Sequence, residues 1–114
     1  MDNFLKISKD QFNDDPSTVK FYFELDQRKR SGFVVKKDQK YFVYLNECQH
    51  LDVELDWQEN DFFEEEKKYI VCATHGAIYE PDSGLCIAGP CKGAYLKKIA
   101  YTENDNNIII NLGV

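Results

Sequence analysis

Four cysteines and two histidines are the residues of this chain best suited to hold a metal, and their spacing is not scattered. Each histidine closely follows a cysteine, in Cys48-Gln49-His50 and in Cys72-Ala73-Thr74-His75, with the segment Leu51 to Val71 between the pairs. Two thiolates and two imidazoles make a four-ligand set. Zinc uses such a set as a closed tetrahedron, and a [2Fe–2S] cluster uses it with two Cys on one iron and two His on the other. Finger-type zinc sites pair Cys with Cys on one turn and His with His on a helix. Here each segment carries one of each, and the residues after His75, GAIYEPDSG, read as turn and strand. A mixed pair on each of two loops suits a dinuclear cluster, because each loop then reaches both irons; a structural Cys2His2 zinc module is the alternative.

On these residues the sequence resembles the Rieske iron–sulfur family. Cys48-x-His50 and Cys72-x-x-His75-Gly76 are similar to its two cluster-binding loops. Asp82-Ser83-Gly84 with Gly89-Pro90 resembles the short strand and proline loop that cover the cluster, and Gly32 to Asn46 resembles the hairpin leading into the first loop. The similarity runs from about residue 19 to residue 112. It implies that Cys48, His50, Cys72 and His75 bind a [2Fe–2S] cluster, and that each histidine leaves its second ring nitrogen near solvent as the electron exit. Imidazoles in place of two thiolates leave the cluster less negative, which places Rieske potentials at about −150 to +300 mV. Reduction should raise the histidine pKa, so the potential should fall as pH rises through it.

The resemblance also bears on tuning. In the high-potential respiratory branch a serine follows His-Gly and a tyrosine sits two residues later; here those places hold Ala77 and Tyr79. The expected potential is therefore below the respiratory proteins and at or above oxygenase ferredoxins. Tyr79 either donates its hydroxyl toward the cluster or is a core aromatic with its hydroxyl in water. Gly76, Gly89 and Pro90 are expected to serve loop geometry. Respiratory relatives tie their two loops with a disulfide whose positions hold no cysteine here, so that bridge does not carry over. Cys86 and Cys91 flank the proline loop either as a local bridge or as two thiols.

The implied function is a small Rieske-type ferredoxin that carries single electrons between a reductase and an acceptor such as an oxygenase, and is not itself an enzyme. Both histidines are already used, so the two-His-one-carboxylate triad of non-haem iron is not available to it. A ligand-retaining small subunit of a larger, nitrite-reductase-like reductase is the second reading.

The elements that must position these residues read as strands. Val19–Leu25, Ser31–Lys37 and Lys40–Asn46 are short and rich in β-branched and aromatic residues, with a tight turn at Lys37–Lys40. Tyr69–Cys72, Ala77–Glu80, Ala94–Tyr101 and Ile108–Leu112 follow, the last two joined by a turn at Asn104–Asn107. The fold class is all-β: a Rieske-like sandwich or small barrel with a cluster-binding subdomain made of two loops and a proline loop. With no repeat and no linker, residues 1–114 read as one domain.

The least regular stretch is Leu51–Lys68, longer than the interval between ligand pairs in the family it resembles. Its acids meet no basic residue before Lys67, and it carries Trp57, Phe62 and Phe63. It reads as a solvated loop pinned by aromatics, with a helical turn at Asp61–Lys68, or as an acidic docking face for a basic redox partner.

The 114 residues include 14 basic and 20 acidic ones, a net charge of −6. That balance argues against nucleic-acid binding, and Arg28-Lys29-Arg30 with Lys36, Lys37 and Lys40 reads as a solvated hairpin face. No apolar run is long enough to span a bilayer, and the first residues show no secretory pattern. A cytoplasmic chain with redox partner proteins, no nucleic acid and no membrane is expected, its oligomeric state open.

Overall fold

The structure is a computed structural model that describes residues 4–25, 27–47, 62–63, 68–72, 76–90 and 92–112. Among these there is no α-helix. Nine strands form three antiparallel three-stranded sheets: β1 (Phe4–Ser8), β2 (Ser17–Leu25), β3 (Arg28–Lys37), β4 (Lys40–Leu45), β5 (Ile70–Val71), β6 (Ile78–Tyr79), β7 (Cys86–Ala88), β8 (Tyr101–Glu103) and β9 (Asn107–Asn111). The sheet orders are β1-β9-β8, β2-β3-β4 and β5-β6-β7. A short 3-10 turn, Lys9–Gln11, follows β1.

The β2-β3-β4 sheet lies between the other two, and period-2 alternation along β3 explains why. Phe33 and Val35 point to one face, where they join Tyr44, Phe62, Ile70, Cys72, Ala77, Tyr79, Cys86 and Leu96. Val34 points to the other, with Val43, Tyr41 and Phe21, against Ile7, Ile108 and Ile110 of the outer sheet. A strand buried on both faces reads as the continuous apolar run Phe33-Val34-Val35, and these three residues are fully buried.

Register is set by turns. Lys37 pairs with Lys40 across Asp38-Gln39, whose φ values of 53° and 64° give the doubly left-handed turn that matches strand twist. Neither residue is glycine; the Asp15 carboxylate accepts both of their amides, at 2.8 and 2.9 Å. Between β8 and β9, Asn104 Oδ1 accepts from the amides of Asn106 and Asn107. Both turns lie where the sequence places them.

One expected strand does not form. Residues 94–100 make only isolated bridges, Leu85–Tyr95 and Tyr44–Lys98. Leu96 enters the core shared with β5–β7, whereas Ile99 packs against the core on the opposite side of the central sheet. In a strand buried on both faces Lys98 would follow Leu96 into one core and Lys97 would share the other face with Ile99, yet both lysines are exposed. The run instead bends around the edge of β4 and joins all three sheets. Cys86 N donates to Ala94 O and Leu96 N to Gly84 O; Leu45 N donates to Lys97 O, Ile99 N to Val43 O, and Asn111 N to Ala100 O. The strand β1 was not expected from its sequence, and it completes the outer sheet by pairing along all of β9.

Candidate metal centre

The sheet β5-β6-β7 carries the loops of interest. The chain closes tightly around the second expected ligand pair: Cys72 N donates to Ala77 O and Gly76 N donates to Cys72 O, each at 2.8 Å. Gly76 allows this closure because its φ is +71°. Cys72 and Ala77 are fully buried, while Gly76, Gly89 and Pro90 are exposed. Of the four expected ligands, Cys72 is therefore at the base of an exposed rim. Cys48, His50 and His75 lie outside the described residues, as does Cys91.

The proline loop presses on the second loop. A Cβ at Gly89 would meet Ala77 Cα at 2.7 Å and Ala77 N at 3.2 Å, and Gly89 has φ +97°. The two segments therefore lie backbone to backbone, which only glycine permits here. The neck of this loop is closed by Gly93 N donating to Cys86 O at 2.9 Å. Cys86 is buried, with its Sγ 3.1 Å from Ala88 O as a thiol donor. Tyr79 pairs with Cys86 in β7 and Ile70 in β5, and it is fully buried. Its hydroxyl therefore does not face water.

Glu47, the residue before Cys48, is held by the central sheet. Arg30 of β3 reaches Glu47 Oε2 with Nε at 3.1 Å and Nη2 at 2.5 Å. Its neighbour Asn46 is 1% exposed, donates its side-chain amide to Ser31 Oγ at 3.1 Å and its backbone N–H to Ser31 O at 2.9 Å. Sequence reading missed these anchors. A polar residue directly after the apolar run of β4 was the available signal, because a buried amide must find partners. The basic hairpin face is also partly neutralised, by Glu47 at Arg30 and by Asp82 at Lys37, 3.0 Å away.

Of the stretch Leu51–Lys68, residues 51–61 and 64–67 lie outside the described ones, so its docking role, Trp57 and most of the expected helical turn do too. Phe62 and Phe63 do anchor it. Phe62 is fully buried and stacks on Phe33 with ring centroids 4.1 Å apart. Phe63 bridges to Ile70, and Val71 N donates to Phe62 O, so these two residues extend the sheet edge and are not helical.

Two tyrosines fasten the layers. Tyr44 of the central sheet donates its hydroxyl to Pro81 O at 2.6 Å, in the turn after β6. Tyr101 of β8 donates to Tyr41 O. Burial raises the pKa of both, most strongly at Tyr44, with Asp82 adding to the effect there. No helix among the described residues is long and apolar enough to cross a membrane.

In comparison with known proteins, the Rieske [2Fe-2S] domain family matches residues 7–102. No curated protein matches the chain significantly by sequence. Among solved structures it is similar to the ferredoxin of carbazole 1,9a-dioxygenase from Nocardioides aromaticivorans IC177, with TM-score 0.65 and 22% identity over 91% of each chain. It is also similar to a chain in the complex of reduced oxygenase and oxidized ferredoxin in carbazole 1,9a-dioxygenase (TM-score 0.68, 14% identity, 95% of this chain, 92% of that one). A longer chain in the reduced oxygenase–ferredoxin complex matches with TM-score 0.69 and 18% identity, over 98% of this chain but 29% of that one. At these identities the structural likeness is one of fold.

Proposed function

The chain belongs to the Rieske [2Fe–2S] domain family, and from that premise we propose that residues 1–114 form one such domain acting as a small electron carrier, a Rieske-type ferredoxin. Cys48, His50, Cys72 and His75 are the residues that would hold the [2Fe–2S] cluster, which when bound supplies one-electron redox chemistry. The observation that carries this reading is the buried Cys72, clamped between the Ala77 carbonyl and the Gly76 amide beneath a glycine that must touch Ala77. Such a base suits a thiolate ligand shielded from water, with the loop after it at the surface. A zinc finger gives no reason for a proline loop pressed on the ligand loop.

Within that site the residues of this chain position and shield. The Cys72–Ala77 closure fixes the root of the second loop, and Arg30 with Ser31 fixes Asn46 and Glu47 at the root of the first. Tyr79 fills the floor and brings a hydroxyl into the same buried region. The carrier would work in the cytoplasm between a reductase and an oxygenase, the class of partner found with ferredoxin in the complexes it resembles. The acidic composition of residues 51–68 would suit a basic partner.

The test is the visible and EPR spectrum of anaerobically purified protein before and after dithionite, with iron, zinc and sulfide quantified. Two irons and two sulfides per chain, and a reduced EPR signal averaging well below that of all-cysteine clusters, would support mixed ligation. Alanine at His50 or His75 should abolish that signal. Colourless protein with one zinc would overturn the reading. The carrier role is then tested by mixing the reduced protein with an oxygenase component. Electron transfer that slows with added salt would support the acidic face; no transfer to any oxygenase, with stable co-purification on a larger reductase, would replace a carrier with a subunit.

A further inference from the structure

The core between the central and outer sheets is open at one end. Where β4 finishes, a notch of about 170 Å³ is floored by Phe23, Leu45, Ile99 and Leu112. Phe23, Ile99 and Leu112 pack against that core yet stay partly exposed, so its apolar surface reaches solvent here. A cavity of this size takes a benzene-sized group.

The rim of the notch is positive. Lys97 and Lys98 line it with exposed side chains, and neither meets a carboxylate among the described residues. Arg30 lines it too, already paired with Glu47, and no acid is part of the lining. This is not the average of the chain, whose net charge is −6. Residues 83–102 contain three lysines and no acid. Backbone bonds hold the two rim lysines in place: Leu45 N donates to Lys97 O at 2.8 Å, and Lys98 bridges Tyr44.

We propose that this notch is a docking site for an acidic protein partner. The partner seats one apolar side chain on the floor and sets carboxylates against Lys97 and Lys98. An apolar anchor inside a charged rim is how protein interfaces concentrate affinity, and complementary charge steers the encounter. A small free anion gains little from two exposed ammonium groups, because water and salt screen them. A protein surface excludes that water as its anchor seats. The notch also adjoins the root of the first expected cluster loop, since Glu47 N donates to Leu45 O at 3.0 Å and Arg30 grips the Glu47 carboxylate. That the partner is a redox protein rests on the carrier reading; it would be opposite in charge to the one that residues 51–68 suit. The docking itself needs no cluster chemistry.

The test is an NMR titration of the isotope-labelled, cluster-loaded full-length protein with the peptide Glu-Glu-Leu-Glu-Glu. At about 0.1 M salt, distant charges are screened. Saturable shifts are expected at the amides of Leu45, Ile99 and Leu112, and a peptide with serine in place of leucine should bind more weakly. The double reversal Lys97→Glu/Lys98→Glu should weaken binding at least about tenfold. The same charge change on the β3–β4 hairpin, Lys36→Glu/Lys40→Glu, should alter it less than about twofold. The spectrum of each variant shows whether it folds. Where the double reversal does not, Lys97→Gln/Lys98→Gln should weaken binding at least about threefold. Absence of saturable shifts at these residues overturns the proposal, as does equal binding of the serine peptide or an equal loss in the hairpin variant. Benzoate giving the same shifts at the same affinity would make this a small-anion site and overturn it too. A protein that shows the mixed-ligand EPR signal but does not bind the peptide loses this site and keeps the carrier reading.

Discussion

A methyl group at Gly89 would sit 2.7 Å from Ala77 Cα, two residues beyond His75 in the chain. Gly93 offers a control in the same loop: its φ is +95°, nearly that of Gly89, but nothing lies within 4 Å of its Cβ position. Gly93→Ala should therefore cost only backbone strain, about 1 kcal/mol. Gly89→Ala adds a clash with backbone that has no flexible end to move, so its cost should exceed about 2 kcal/mol, and the bound iron per chain should fall with it. Urea midpoints and iron assays on the two variants check this; equal losses would mean that the contact with Ala77 does not matter. Tyr79 touches the same region from below. Its buried hydroxyl cannot be solvated by bulk water, and a donor directed at a thiolate favours the more negative, reduced state. Tyr79→Phe should lower the midpoint potential by roughly 40 mV, the one-electron equivalent of about 1 kcal/mol. A redox titration in which the potential is unchanged would assign that hydroxyl to packing alone.

Among the elements, the β3–β4 hairpin shows how a turn of unsuitable residues is held. Asp38 and Gln39 both occupy the left-handed region without being glycine, and one carboxylate, Asp15, bonds both amides from 23 and 24 residues away. Asp15→Ala should cost about 1–2 kcal/mol in urea denaturation, and Asp15→Asn less, because one acceptor oxygen remains. Equal stability of wild type and Asp15→Ala would show that water replaces the carboxylate at no cost. The turn itself was readable in the sequence, flanked as it is by alternating aromatic strands; its distant acceptor was not, since nothing local marks Asp15. The same divide runs through the rest of the molecule. Cys48, His50, Cys72 and His75 stand out because ligand types and spacing are local properties. The approach of Gly89 to Ala77 joins residues of two different loops, and no spacing encodes it. Residues 94–100 misled because alternation between aromatic, aliphatic and basic residues mimics a strand, although two adjacent exposed lysines mark the bend. The strand β1 was missed because Phe4-Leu5-Lys6-Ile7-Ser8 buries only Ile7 fully and relies on β9 for its conformation.

Across the whole molecule, three sheets stay in register partly through two phenols, and this links stability to alkaline pH. Tyr44 joins the central sheet to the turn at Pro81, and Tyr101 joins the outer sheet to Tyr41. Burial disfavours the phenolate of each, so both pKa values lie above the ordinary value of 10.0 in the folded chain. The unfolded chain then releases these protons first. Their contribution to stability is complete below pH 10 and is lost progressively as pH rises above it, by at most about 1.4 kcal/mol per pH unit for each tyrosine. Ionisation also removes the donor that bridges the sheets, so the loss and the loosening of the layers coincide. Tyr44→Phe should lower stability at neutral pH by about 1 kcal/mol, through the hydrogen bond to Pro81, and make the decline above pH 10 shallower. Urea midpoints of the two proteins measured across the alkaline range check both parts. Because Tyr44 is fully buried whereas Tyr101 is only half-buried, the Tyr44 variant should remove the larger share of the alkaline decline. Parallel curves for wild type and Tyr44→Phe would mean that other groups set the alkaline limit and that the central sheet holds the cluster-bearing sheet by apolar contact alone.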